Sequence, residues 1–83
     1  MMKIGFIGAG NMGGAIIGGI ISNAIAAAED ITAADKNEAL LKSVSEKYNI
    51  QITGDNKACA AEADILFLCV KPNVFYSVID EIA

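Results

Sequence analysis

The chain lacks histidine, arginine and tryptophan, and it contains one proline and two cysteines, Cys59 and Cys69. Without histidine, and with its two thiols on different predicted elements, it lacks the ligands of a zinc site, so no metal site is predicted. Two cysteines in apolar surroundings are not a disulfide framework. We expect buried thiols in a reducing compartment, which favours a cytoplasmic protein. The missing arginine and a formal net charge of −4 argue against a nucleic-acid partner.

The chain is rich in apolar residues, which make up 54% of its 83 positions. This composition excludes disorder, and the length allows one domain at most. Residues Ile4 to Ala28 carry no charge and end in alanines, so they imitate a signal peptide or a membrane span. The many glycines of this stretch make a continuous helix unfavourable, and we expect no membrane partner.

Three glycines stand between an apolar run and a segment with helical apolar spacing. Gly8, Gly10 and Gly13 follow the predicted strand Lys3–Ile7 and open the predicted helix Asn11–Asn23. A strand, a tight turn and a helix form the context of a dinucleotide-binding fingerprint, although glycine-rich turns alone are common. The first glycine permits the turn, the second admits a pyrophosphate to the backbone, and the third packs helix against strand. The unpaired first-turn N–H groups favour the bound anion.

Strand and helix signals alternate along the rest of the chain. The predicted strands after the first are 31–34, 51–53 and 65–70, and the predicted helices are 37–48, 57–63 and a last one from about 74 to 83. This alternation predicts an α/β fold, a Rossmann-type doubly wound parallel sheet with strand order 3-2-1-4. The ligand crevice then lies beyond the carboxyl ends of strands one and four. Ile65 to Val70 is too apolar for a bare sheet edge, so we expect further strands and a larger protein.

Three segments resemble the N-terminal half of pyrroline-5-carboxylate reductase: Gly5 to Gly13, Asp55 to Lys57, and Asp64 to Pro72. The Val-Lys-Pro turn after an apolar strand, with an upstream Asn-Lys, is the more particular part of this resemblance. Members of that family reduce 1-pyrroline-5-carboxylate to L-proline with NADPH or NADH. The resemblance therefore implies an NAD(P)-dependent oxidoreductase of proline biosynthesis. It also implies that residues 1–83 are the N-terminal part of the NAD(P)-binding domain.

The family's helical domain, which carries catalysis and dimer formation, has no counterpart in this chain. We therefore assign no catalytic residue, and we expect the full-length protein to be a homo-oligomer. The resemblance implies that the pyrophosphate is wrapped by Ile7, Gly8, Ala9, Gly10, Asn11, Met12 and Gly13. It further implies that the adenosine side of the cofactor is contacted by Asp35, Lys36 and Asn56. The nicotinamide side is then contacted by Cys69, Val70, Lys71 and Pro72.

Several of these residues have a simpler interpretation. Asp35 can be a helix cap, because Glu38 three positions later resembles a capping box, although Asn37 is an alternative cap. Lys71 can be a solvated loop residue, and Asn56 an ordinary residue of a first helical turn. Cys69 fits a small buried hydrophobe better than a reactive thiol, and Met12 can serve packing alone.

The choice of cofactor and of function leaves alternatives open. The carboxylate of Asp35 accepts a hydrogen bond from a ribose 2′-hydroxyl and repels a 2′-phosphate. The positive charge of the adjacent Lys36 partly offsets the repulsion of the phosphate. We therefore expect an enzyme that uses both NADP and NAD. One alternative is a β-hydroxyacid or prephenate dehydrogenase, which shares the glycine motif but not the Val-Lys-Pro turn. Another is a non-catalytic module that binds or senses the dinucleotide.

Overall fold

The computed structural model describes residues 2–83 as a four-stranded parallel sheet with helices on both faces. The strand order is 3-2-1-4, as predicted. The strands are β1 (Ile4–Ile7), β2 (Ile31–Ala34), β3 (Gln51–Thr53) and β4 (Ile65–Leu68). The helices are α1 (Asn11–Ser22), α2 (Glu38–Tyr48), α3 (Asn56–Glu62) and α4 (Pro72–Ile82), with a short 3₁₀ turn at Ala28–Asp30. The predicted Rossmann-type fold is confirmed.

β1 is the central strand, and its side chains alternate between two separate cores. Phe6 belongs to the core beneath α1 and α2, which includes Ile17 and Val44. Ile7 belongs to the opposite core, which includes Val78 of α4. All four residues of β1 are buried, as expected for a parallel strand covered on both faces. The sheet therefore places the carboxyl end of β1 between helices from both layers.

Two of the three motif glycines are required by close backbone contacts. Gly8 has φ 106°, a left-handed conformation, and a Cβ there would overlap the carbonyl group of Cys69. A Cβ on Gly13 would overlap the carbonyl oxygen of Gly8, so α1 packs directly against the end of β1. Gly10 differs, because no atom outside its chain neighbours lies within 4 Å of its Cβ position.

The last strand and the last helix have different bounds from those predicted. β4 ends at Leu68 rather than Val70, although the Cys69 N–H still donates to the Ile7 carbonyl oxygen at 2.8 Å. α4 begins at Pro72 rather than Val74. Pro72 fits the first helical position, where the N–H has no partner and φ is already helical. α3 likewise spans Asn56–Glu62 rather than 57–63.

Of the two candidate caps of α2, Asn37 is confirmed and Asp35 is not. The cap of α2 is Asn37, whose side-chain oxygen accepts from the N–H groups of Ala39 at 3.0 Å and Leu40 at 3.2 Å. Asp35 instead accepts from the N–H groups of Asn37 at 2.8 Å and Ala9 at 2.9 Å. Its carboxylate therefore bridges the glycine turn and the residue that caps α2.

The charge-free N-terminal stretch divides into β1, the glycine turn and α1, which is 12 residues long. Within residues 2–83 no helix has the length and apolar character needed to cross a bilayer. Of its glycines, Gly8 serves the turn, and Gly13 and Gly18 allow the close packing of α1.

Gly13→Ala and Gly19→Ala should have opposite effects, although both lie in α1. At Gly13 the new methyl group would overlap the Gly8 carbonyl, and we expect a loss of about 1–3 kcal/mol of unfolding free energy. At Gly19 the added Cβ would meet no atom within 4 Å apart from the backbone of its own helix. Alanine there should raise the unfolding free energy by roughly 0.5–1 kcal/mol through its better helix propensity. Urea denaturation of both variants measures the difference. Equal destabilisation would contradict the packing argument.

Candidate dinucleotide-binding site

A cleft of about 260 Å³ opens at the carboxyl ends of the strands. It is lined by six of the predicted site residues, namely Ile7, Gly8, Asp35, Lys36, Asn56 and Val70. Five residues that sequence reasoning did not select complete the lining, namely Ala34, Val74, Ser77, Val78 and Glu81. Larger clefts lie away from the glycine turn. Two, of about 430 and 560 Å³, are at the amino ends of the strands, and two, of about 540 and 370 Å³, lie along α2. The carboxyl-end cleft is therefore the candidate site.

The start of α1 is arranged to receive an anion. Gly10 is its N-cap residue, and no side chain of residues 2–83 caps this helix. By contrast, Asn37 and Asp55 cap α2 and α3. The first-turn N–H groups of α1 thus keep their hydrogen-bonding capacity and their partial positive charge. With open space above Gly10, these features fit the pyrophosphate of a dinucleotide.

Ala9, Asn11 and Met12 complete the glycine turn but do not line the cleft. Ala9 is buried, and its N–H is the group bound by Asp35. Asn11 and Met12 lie in the exposed first turn of α1, where 56% of Met12 is accessible to solvent. Met12 therefore contributes little packing in this chain, and its backbone N–H is the group available to a phosphate.

Asp35 connects β2 to the glycine turn. Each of its two carboxylate oxygens accepts one backbone N–H, from Ala9 and from Asn37. A carboxylate has about four lone-pair positions, so acceptor capacity remains for a ligand hydroxyl. The side chain is half-buried and lines the cleft beside the exposed Lys36. A hydroxyl-bearing ribose is thus a suitable ligand for this carboxylate.

Cys69 lies against the glycine turn, because its backbone carbonyl group packs directly against the α-carbon of Gly8. Burial raises the pKa of the Cys69 thiol, which therefore stays protonated near neutral pH. Cys69 is half-buried and not fully buried as predicted, but its protonated thiol fits a packed residue better than a reactive one. Burial also raises the pKa of Cys59, which lies in the core between β1 and α3. Lys71 and Pro72 form the exposed start of α4 and do not line the cleft.

Asn56 is the most unusual polar residue of the site. It is 4% exposed, and its Nδ2 donates to the Oε1 atom of Glu81 at 3.1 Å. Its Oδ1 is buried and finds no donor within residues 2–83. An unsatisfied buried acceptor costs about 1–3 kcal/mol, so this oxygen is suited to a donor from a ligand or a water. An ordinary residue of a first helical turn does not need such burial.

The residues that sequence reasoning missed lie on one face of α4. Val74, Ser77, Val78 and Glu81 follow the i, i+3, i+4, i+7 spacing of a helix face. That periodicity is visible in the sequence, since all four positions fall within the predicted helix 74–83. The spacing identifies a helix face, but only the tertiary structure shows that this face borders the cleft.

The sequence profile of one protein family, described as NADP oxidoreductase coenzyme F420-dependent, matches residues 3–83. The chain belongs to this family. The resemblance to pyrroline-5-carboxylate reductases is also confirmed by individual relatives. The chain is 44% identical over 80 residues to the pyrroline-5-carboxylate reductase of Methanosarcina acetivorans, an alignment that covers 96% of this chain and 30% of that enzyme.

Solved structures show the same relationship. A pyrroline-5-carboxylate reductase from Coxiella burnetii superposes with a TM-score of 0.90 at 34% identity, over 96% of this chain and 29% of that one. The Plasmodium falciparum pyrroline carboxylate reductase, whose crystal structure has NADP bound, gives 0.82 at 27% identity, over 98% and 28%. The chain thus spans about 30% of the length of the relatives it matches.

Gly10→Val should abolish dinucleotide binding while the protein remains folded. The backbone of Gly10, at φ −76°, accepts any residue, and open space surrounds its Cβ position. The branched side chain would occupy the space that a pyrophosphate needs. Calorimetric titration with NADPH and NADH measures the loss, with Gly19→Val at the other end of α1 as the control. Unchanged affinity in a folded Gly10→Val protein would contradict the assignment of the turn.

Asp35→Ser should raise the preference for NADPH over NADH by about 5- to 30-fold. Removing a carboxylate beside a partly exposed phosphate relieves about 1–2 kcal/mol of repulsion at an effective dielectric near 20. Each 1.4 kcal/mol corresponds to about a tenfold change in the dissociation constant. The measurement is the ratio of the two dissociation constants in both proteins. Asp64→Ser, which removes the same charge ahead of β4, should leave the ratio unchanged. A flat or falling ratio in Asp35→Ser would show that this carboxylate only holds the glycine turn.

Proposed function

We propose that this chain is the N-terminal, dinucleotide-binding part of an NAD(P)H-dependent reductase that converts 1-pyrroline-5-carboxylate to L-proline. The observation that carries the proposal is the glycine turn, where Gly8 and Gly13 are fixed by backbone contacts and Gly10 alone faces open space. That arrangement fits a pyrophosphate. The reaction is suggested by relatives named pyrroline-5-carboxylate reductase, to which the chain is 35–44% identical.

In this proposal the three segments at the carboxyl edge divide the cofactor between them. The glycine turn binds the pyrophosphate through Ile7, Gly8, Ala9, Gly10, Asn11, Met12 and Gly13. The ends of β2 and α3 bind the adenosine half through Asp35, Lys36 and Asn56. The turn after β4 lies beside the nicotinamide half through Cys69, Val70, Lys71 and Pro72.

The chain's own contribution is to hold and orient the cofactor. When bound, the reduced nicotinamide supplies the hydride for the imine carbon. Because the chain spans about 30% of the relatives' length, we place the catalytic residues and the subunit contacts of a homo-oligomer outside residues 1–83. Both NADP and NAD fit the cleft chemistry, since Asp35 and Lys36 act in opposite directions on a 2′-phosphate.

The complete reductase should form proline from 1-pyrroline-5-carboxylate with either NADPH or NADH. Proline is quantified directly, and the oxidised cofactor is followed by absorbance, so that the two products must appear in equal amounts. Gly10→Val is the matched control, because it should abolish cofactor binding while the rest of the protein stays folded.

Two outcomes would contradict the proposal in different ways. Tight dinucleotide binding without turnover of any cyclic imine would indicate a cofactor-sensing module. Turnover of a β-hydroxyacid or of prephenate, with none of the imine, would indicate a dehydrogenase that shares only the glycine motif.

A further inference from the structure

The side-chain amide of Asn56 is held in one orientation by a residue from another helix. Its Nδ2 donates to Oε1 of Glu81, which is 25 positions later on α4. Both residues line the cleft at the carboxyl edge, and the Asn56 side chain is buried. The Oδ1 atom is the part of this amide that remains without a partner within residues 2–83.

The chemistry of Glu81 determines which end of the amide faces it. An ionised carboxylate only accepts hydrogen bonds, so the NH₂ group of Asn56 must face Glu81. The reverse orientation would bring two acceptors together in a partly buried place, without a hydrogen bond. Glu81 therefore leaves Asn56 with an acceptor, and not a donor, for any ligand in the cleft.

We infer that Glu81 is a positioning residue that makes Asn56 a selective acceptor for a hydrogen-bond donor on the adenosine half of the cofactor. This inference rests on the proposed function. The donor that distinguishes the two cofactors there is the ribose 2′-hydroxyl of NADH, which NADPH replaces with a phosphate that offers acceptor oxygens. Glu81 thus acts on cofactor choice through the orientation of Asn56 and adds to the effect of Asp35 on the same cleft.

A purely structural role makes a different prediction. If the Glu81–Asn56 hydrogen bond only joins α3 to α4, its loss lowers stability and weakens NADH and NADPH alike. If Glu81 orients the amide, its loss changes the ratio of the two affinities. The ratio is thus the readout that separates the two roles.

Glu81→Gln is the informative substitution in the complete reductase. Glutamine can donate as well as accept, so the Asn56 amide is free to turn its NH₂ group toward the ligand. One hydrogen bond is worth about 0.5–1.5 kcal/mol, so we expect NADPH affinity to rise about 2- to 12-fold relative to NADH. Calorimetric or fluorescence titration of both cofactors measures dissociation constants independently of turnover.

Two controls separate orientation from charge. Asp80→Asn removes one negative charge from the adjacent, exposed position of α4, which does not line the cleft. It should change the ratio by less than about twofold, as expected for an exposed charge. In an Asn56→Ala background, Glu81→Gln should lose its effect on the ratio, because the amide that it releases is gone.

Reduced nicotinamide hypoxanthine dinucleotide identifies the donor, because it lacks the adenine amino group and retains the ribose hydroxyls. If the amino group is the donor, this analogue binds the wild type about 3- to 10-fold more weakly than NADH, and Asn56→Ala removes that difference. If the ribose hydroxyl is the donor, the analogue and NADH bind alike. The first result would contradict an effect of Glu81 on cofactor choice, because NADH and NADPH carry the same amino group. The second result supports the inference, provided that Asn56→Ala weakens NADH.

The inference fails if Glu81→Gln and Asp80→Asn change the ratio equally, or if the effect of Glu81→Gln persists without Asn56. Those results are distinct from a failure of the proposed function, in which the wild type binds neither cofactor or does not reduce the imine. Circular dichroism and thermal melts of each variant confirm that the comparison is made between folded proteins.

Discussion

The whole site depends on one backbone turn that is enclosed by three other segments. Gly8 donates its N–H to the Ala34 carbonyl oxygen at 2.8 Å, its α-carbon faces the Cys69 carbonyl, and its own carbonyl lies beneath Gly13. These contacts join the ends of β2, β4 and α1 at a single residue. Since protein interiors are close-packed, a side chain here would separate all three segments. The cleft exists because these three segments converge at a residue that has no side chain.

In the proposed function, Asp35 combines a structural contact with recognition of the cofactor in the same side chain. It fixes the Ala9 N–H of the glycine turn and still presents a charged edge to the cleft. A residue chosen only to admit a 2′-phosphate would be neutral or basic, but it would hold the turn less firmly, because hydrogen bonds to a charged acceptor are stronger. Cofactor preference and the rigidity of the turn are therefore linked through one carboxylate.

The order of the strands, the glycine turn and the helix layers could be predicted from the sequence, because apolar periodicity and turn residues are local signals. Three features could not. The pairing of Asp35 with Ala9 and of Asn56 with Glu81 joins residues about 25 positions apart, which only the tertiary fold brings together. The beginning of α4 was misplaced because a proline breaks a helix in its interior but favours its first position.

The uncapped start of α1 has a consequence for the lifetime of the protein. Because no side chain of residues 2–83 satisfies this helix end, a ligand that does so binds the folded chain and not the unfolded one. Such a ligand adds about 2.7 kcal/mol of stability at a hundred times its dissociation constant. With the proposed dinucleotide as that ligand, the folded fraction of the protein follows the supply of the cofactor, and a shortage of cofactor exposes more of the protein to degradation.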